Sequence, residues 1–352
     1  MRAAKKLIKS ERWWDDKATP VLAFTYLMLA LSETPVPLER TLLALAAFMV
    51  AFIGVAGFGH VINDLCDIEA DGIAGKDNPL RGRSKRQIAL IMLALLLAAG
   101  LPWLWLPRDG WNMAWLGLQI LLLTLYAVPP VRLKVRPIGG PITDALYAYT
   151  VPALITCATW SQVSGPAESL PWLLAAIVPW SLCVGLRGIL YHQCLDAGND
   201  LKSGLDTFAT RRGRAVTLGI IAHWVLPTEV AGFTAMTVAV SGAIPLYPLG
   251  IALFIAWRMF ELIAHRNMAL APPWRLLPED RVRLYGYEFL GEFYTGWFPV
   301  FILLALVFRD PAYLVLFGLH LALFKTGLVY MIRHGLGKLT TTIARMKQRH
   351  GH

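Results

Sequence analysis

Charge is what this chain has least of. Asp, Glu, Lys and Arg make up 16% of its 352 residues, against roughly 25% in an ordinary soluble protein. That leaves too few polar groups to cover a soluble multidomain enzyme. Intrinsic disorder is excluded by the complementary figure, since 56% of the residues are hydrophobic and a disordered chain needs the opposite balance. Cysteine is also scarce. The four present (Cys66, Cys157, Cys183, Cys194) lie in or at the ends of apolar runs, which argues against a disulfide-rich secreted scaffold, and their spacing makes no zinc pattern. Period-two alternation is missing, which argues against a membrane β-barrel. No apolar h-region with a small-residue cleavage site follows the basic start, so a signal peptide is not expected. What remains is a polytopic membrane protein.

Apolar runs long enough to cross ~30 Å of hydrocarbon occur at 18–33, 41–62, 88–106, 110–128, 141–160, 171–194, 215–240, 243–264, 293–309 and 311–333. The first and ninth are short. The expected fold is an all-α transmembrane bundle of nine or ten spans. Residues 1–17 read as an amphipathic interfacial helix with paired Trp13 and Trp14. Residues 18–333 form the membrane domain, and 334–352 form a basic tail. The segment 265–292 is expected to cap the site or to dock a protein whose identity the sequence leaves open.

The net charge of +10 needs a location. Of the 33 Lys and Arg residues, 27 fall in the two ends and alternate loops when Arg333, at the border of the last run, is counted with the C-terminal end, while the other loops hold only Arg40, Arg108 and Arg309. Under the positive-inside rule both termini are then cytoplasmic, in a bacterial-type inner or plasma membrane. Trp103, Trp105, Trp111, Trp160 and Trp172 gather toward the other face, as an aromatic belt would. The charge orients a bundle in a lipid bilayer, and no nucleic-acid patch emerges.

Two segments carry unusual acidity. Asp64, Asp67 and Asp71 in NDLCDIEADGIAGK (63–76) stand at i, i+3 and i+7, one face of a continuing helix. A shift of 129 residues superimposes this segment on YHQCLDAGNDLKSGLDT (191–207), aligning Asp67 with Asp196, Asp71 with Asp200 and Gly75 with Gly204. Asn63 and Asp64 fall on His192 and Gln193. The repeat suggests two related half-bundles with a site between them. Aligned carboxylates repel unless a cation sits among them, and Mg²⁺ is held by carboxylates and phosphate oxygens. One such cluster is most often a solvated helix end; the repetition is what points to function.

A diphosphate also needs fixed positive charge. In YAVPPVRLKVRP (126–137) the paired prolines stop the helix, and Arg132 and Lys134 follow at two-residue spacing in an extended segment. Lys202, inside the second acidic segment, is a further diphosphate-binding candidate. Arg187 is another, nine residues before Asp196, about 13 Å along a helix; the plainer reading is snorkelling to the interface. Asp144 is a helix-end residue, an orienter of Lys134 or a metal ligand through water. Glu229 and Lys325, both inside apolar runs, pair with each other, line a cavity or face the bundle interior.

These residues resemble a known family. NDLCDIEAD resembles the NDxxDxxxD motif of the UbiA superfamily of intramembrane prenyltransferases. LDAGNDLKSGLDT is similar to its second DxxxD motif with the Gly-x-x-Thr that follows, and YAVPPVRLK to its tyrosine-to-lysine loop. The resemblance spans about residues 20–240. It implies a bundle around a central cavity and Mg²⁺-dependent binding of a polyprenyl diphosphate. Asn63, Asp64, Asp67 and Asp71 match the first metal site, and Asp196 and Asp200 the second. Arg132 and Lys134 match the basic loop that binds diphosphate with Asn63, and Tyr126 matches its tyrosine. Asp67, Asp71, Asp196, Asp200 and Tyr126 are the expected catalytic set.

The expected reaction is transfer of the prenyl group to a second, lipophilic acceptor, aromatic or otherwise. The rival readings are a UbiA-type terpene cyclase with no second substrate, phosphoribosyl transfer to a polyprenyl phosphate, and a transporter.

Overall fold

The computed structural model describes residues 6–73, 75–165, 168–202, 205–265 and 275–324. Each of the ten apolar runs lies at least partly on helix. In chain order these are α1 (Thr19–Leu31), α2 (Leu38–Ile73), α3 (Lys85–Gly100, extended by a 3₁₀ turn over Leu101–Leu104) and α4 (Gly110–Ala127). Next, α5 runs over Gly139–Ala145, passes a π turn at Leu146–Thr150 and continues over Val151–Ser164. The remainder are α6 (Leu170–Lys202), α7 (Arg214–Ser241), α8 (Leu246–His265), α9 (Pro278–Arg309) and α10 (Leu314–Leu323).

Among the described residues five helices are long and apolar enough to cross a membrane: α2, α3 with its 3₁₀ turn, α6, α7 and α9. The expectation of nine or ten spans treated every apolar run as such a helix. α1 shows why the two differ. It has 13 residues, all but Ala30 buried, because TPVLAFTYLMLAL is apolar on every side and a helix hydrophobic all round belongs inside a bundle. It packs between α9 and the C-terminal part of α5.

The ninth run, expected to begin at 293, is the second half of α9, which starts at Pro278. Residues 278–292 are therefore helical, with Val282, Leu284 and Gly286 buried; the intervening charges hid this apolar pattern. Residues 266–274 of the expected cap lie outside the described residues, as do Gly204, Lys325 and the 334–352 tail. Among the described residues from 6 on, the N-terminal segment is broken into short turns rather than one amphipathic helix. A helical turn at 6–8 leads through a 3₁₀ turn at Ser10–Arg12 and a π turn at Trp14–Ala18 into α1. The aromatic belt is also smaller than expected: Trp105, Trp111 and Trp172 are exposed, while Trp103 and Trp160 are buried.

Two helices outrun the bilayer. α2 has 36 residues and α6 has 33, about 54 and 50 Å at 1.5 Å per residue, against ~30 Å of hydrocarbon. The surplus in each carries an acidic segment. Small residues set these helices close to their neighbours. A Cβ on Gly54 would lie 2.4 Å from the backbone nitrogen of Ala99 on α3, and one on Gly185 would lie 2.5 Å from Cα of Ala145 on α5. In a membrane such close backbone approach replaces the hydrophobic drive. Ser84 and Gln87 form a capping box that starts α3.

Two buried or half-buried charge pairs lock the helices. On α6, Arg187 Nε and Nη2 donate to both oxygens of Glu229 on α7, at 2.7 and 2.9 Å. Arg258 on α8 reaches Glu292 of α9 at 3.1 Å. Glu229 thus pairs with Arg187; Lys325 lies outside the described residues.

Candidate active site

A cavity of about 980 Å³ opens at the end of the bundle where α2 and α6 overrun. Asn63, Asp67 and Asp71 line it from α2, and Asp196, Asp200 and Lys202 from the end of α6. Arg132 and Lys134 reach it from the loop after α4.

The placement on α2 follows from helix geometry. At roughly 100° per residue, the order around the wheel is Asn63, Asp67, Asp71, Asp64. The cavity takes the first three. Asp64, at the far edge of the stripe, is buried and turned away from it. One Asp64 oxygen accepts from Lys9 Nζ, and its Oδ2 is buried with no hydrogen-bond partner. Asp64 was expected to bind metal with the other three; the structure instead gives it to the N-terminal segment. Asp71 accepts from Asn78 Nδ2 at 2.9 Å, and the same nitrogen donates to the Asp64 carbonyl at 2.9 Å. Asn78 thereby staples the loop back onto the end of α2.

The basic loop is compact where an extended segment was expected. Arg132 adopts a left-handed conformation (φ 39°) and a 3₁₀ turn follows at Leu133–Val135. The turn still sends both cations the same way. Lys134 Nζ donates to both oxygens of Asp67, at 2.6 and 2.5 Å, and to Asn63 Oδ1 at 2.9 Å. Arg132 Nη2 donates to Asp67 Oδ1 at 2.9 Å.

The second strip differs in detail. His192 Nε2 lies 3.2 Å from Asp196 Oδ2, and Thr207 Oγ1 donates to Asp200 at 3.4 Å. Gln193, which occupies the register of Asp64, accepts from the backbone N–H of Phe208 at 3.1 Å and caps the short helix Phe208–Arg212. The second segment's departure from the first therefore has a local use.

Among the described residues no three His, Cys, Asp or Glu side chains come close enough together to hold a metal ion. The carboxylates stand as two strips across one mouth, Asp67 with Asp71 and Asp196 with Asp200. Arg187 is not in the wall of this cavity. Its guanidinium is bound by Glu229 and lies 4.9 Å from the Tyr287 ring, so the expectation that it binds diphosphate gives way to a structural role.

Below the mouth the wall turns apolar, with Phe48, Phe52, Leu116, Leu123, Ile155 and Trp103 along its depth. Tyr126 and Tyr147 lie between the two zones, edge to face at 5.0 Å. Sequence reasoning missed several lining residues: Trp13, Lys17, His60 and Tyr147. Trp13 stacks on His60 and meets Phe52 edge-on, so this Trp is a wall of the cavity rather than an anchor in the interface. Outside the spans, the Lys6 ammonium beside Asp77 holds that carboxyl below its ordinary range.

A model of the UbiA prenyltransferase family matches residues 21–277. The sequence is 28% identical over 208 residues to a lycopene elongase/hydratase of Haloferax volcanii, covering 58% of this chain and 64% of that one. It is 27% identical over 201 residues to a protein of the same name from Haloarcula japonica, covering 54% of this chain and 63% of that one. The chain thus matches a little under two thirds of the length of these relatives. The fold is shared with a UbiA homologue from Archaeoglobus fulgidus solved with GPP and Mg²⁺, at a TM-score of 0.52 and 15% identity over 86% of this chain and 99% of that one. A structure described for digeranylgeranylglyceryl phosphate synthase superposes with a TM-score of 0.57 and 16% identity over 86% and 98% of the two chains.

Proposed function

Because this chain belongs to the UbiA prenyltransferase family and has five helices long and apolar enough to cross a membrane among its described residues, we propose that it is a transferase that moves the prenyl group of a polyprenyl diphosphate onto a lipophilic acceptor at the cavity described above. One observation carries this reading. Four aspartates from two helices and two cations from one loop ring the mouth of a single cavity whose depth is apolar. A molecule with a diphosphate head and an isoprenoid tail has that distribution of charge.

The donor set suits Mg²⁺. Asp67, Asp71, Asp196 and Asp200 offer only hard oxygens, in two i, i+4 pairs, and Mg²⁺ prefers one or two carboxylates plus phosphate oxygens. The Archaeoglobus fulgidus homologue solved with GPP and Mg²⁺ supports the same choice. Bound there, Mg²⁺ supplies positive charge against the diphosphate leaving group.

The chain's own residues do the rest. Lys134 and Arg132 present fixed positive charge to the departing oxygens, Arg132 as a fork and Lys134 as a point charge. Asp67 and Asn63 hold Lys134 in place. As the allylic C–O bond ionises, the faces of Tyr126 and Tyr147 stabilise the cation as aromatic rings stabilise ammonium groups. Trp103, Phe48 and their neighbours exclude water that would quench it. The lycopene elongase/hydratase name of the haloarchaeal relatives supports a long polyene acceptor. The loop charge bias supports a mouth facing the cytoplasm.

The test uses membranes containing the full chain, labelled geranylgeranyl diphosphate and MgCl₂. Expected are released diphosphate and a heavier, prenylated lipid seen by mass spectrometry, with both removed by EDTA. Asp67→Asn should lower release on the order of 100-fold, the scale on which one preorganised charge contributes. Full release from Asp67→Asn overturns the mechanism. A hydrocarbon formed from the diphosphate alone, with no heavier lipid, marks a cyclase instead.

A further inference from the structure

One acidic group in the cavity is not used by the diphosphate site. Asp144 lies on the first stretch of α5, Gly139–Ala145, and lines the cavity wall half-buried. The helix begins against the basic loop: a Cβ on Gly140 would lie 3.1 Å from the Lys134 carbonyl oxygen. Asp144 is four residues farther on, about 6 Å along the axis. It therefore stands roughly one helical turn along α5 from the start of the helix against the basic loop, which on the prenyl-transfer reading sets it near the reacting carbon.

Its surroundings hold it in the wall. The Tyr147 hydroxyl donates to Asp144 Oδ1. Tyr147 is braced edge to face by Tyr126, and Gln119 Nε2 donates to its carbonyl at 2.7 Å. A π turn starts at Leu146, and such turns are frequent at functional sites. The expectation that Asp144 orients Lys134 is not met, since Lys134 bonds to Asn63 and Asp67. The nearby ionisable residues of the same wall are Lys17, from the segment before α1, and His192 on α6.

We propose that Asp144, positioned by Tyr147, is the base that takes the proton lost from the acceptor after the prenyl group is attached. This rests on the prenyl-transfer reading above. The allylic C–O bond breaks and its electron pair leaves with the diphosphate. The π pair of the acceptor, an alkene or aromatic ring, forms the new C–C bond and leaves a cation on the acceptor. A C–H bond next to that cation then breaks, and its electrons close a double bond or restore the ring. The proton passes to the Asp144 carboxylate, which returns it to water at the open mouth. Without the base, the acceptor cation takes water and yields an alcohol heavier by one water.

The assay is the one above, in membranes with labelled geranylgeranyl diphosphate and MgCl₂, reading the ratio of unsaturated prenylated lipid to diphosphate released. Asp144→Asn should lower that ratio about 100-fold, the usual scale of general-base catalysis, with the water adduct rising in its place. Asp144→Glu should recover part of it, and Tyr147→Phe should shift it the same way by less. If Asp144→Asn does not accumulate as a monodisperse protein in detergent, Tyr147→Phe decides. An unchanged ratio overturns the assignment. So does a parallel loss of release and product, which would place Asp144 in the diphosphate site. A wild-type chain that releases no diphosphate overturns the prenyl-transfer reading itself, and this inference with it.

Discussion

Asp67 accepts from Lys134 at both oxygens and from Arg132 at one. Asp64, three residues earlier, belongs to the same acidic motif yet bonds to Lys9 on the other side of the helix. The two residues should therefore behave differently on mutation. On the proposed reading, Asp67→Asn should lower diphosphate release. Asp64→Asn leaves Lys9 without its charged partner and should loosen the N-terminal segment, raising proteolysis near Lys9 more than it lowers diphosphate release. Limited trypsin digestion of both variants checks this; equal loss of release in the two would put Asp64 back in the metal site. The Arg187–Glu229 pair gives a second contrast. Both side chains are buried, so Glu229→Ala strands a guanidinium and should cost about 3–5 kcal/mol. Replacing both by apolar residues of similar volume should recover most of that loss. Thermal unfolding in detergent measures the three variants, and a double variant as unstable as the single would show that the pair has a role beyond mutual neutralisation.

At the scale of helices, α2 and α6 owe their positions to small residues. Gly54 admits the backbone of α3 and Gly185 that of α5. Gly185→Val forces α6 off α5, and with it the Asp196–Asp200 strip away from Lys134. Overpacking of this kind costs about 1–3 kcal/mol. The expected result is a modest fall in melting temperature together with a rise in the KM for geranylgeranyl diphosphate. A lower melting temperature with unchanged KM would mean that the α5–α6 contact does not set the mouth. α9 makes another point at this scale. Charged residues at 279–281, 283, 288 and 292 disguise a continuous helix as a loop, because several of those charges find partners on neighbouring helices, as Glu292 does with Arg258 and Glu279 with Arg214.

At the scale of the whole molecule, one cavity joins a charged mouth to an apolar depth, and its floor includes Trp103 and Phe48. Phe48 precedes Asp67 by 19 residues on α2, about 28 Å, so the cavity follows most of the membrane's thickness. Enlarging the floor with Trp103→Ala should shift preference toward longer prenyl diphosphates, read as the ratio of kcat/KM for geranylgeranyl over geranyl diphosphate. An unchanged ratio would remove the floor from chain-length selection. The sequence by itself determined the helical membrane class and the set of acidic and basic residues that line the mouth. Scarce charge, long apolar runs and carboxylates at helical spacing are local properties, and a helix satisfies its backbone within its own segment. Tertiary structure alone decided which carboxylates share the cavity and which do not. A difference of one wheel position turns Asp64 to Lys9, and a partner 42 residues along the chain claims Arg187. It also decided which apolar runs are buried within the bundle, as α1 is, because a run apolar on every side carries no sign of whether its neighbours are lipid or protein.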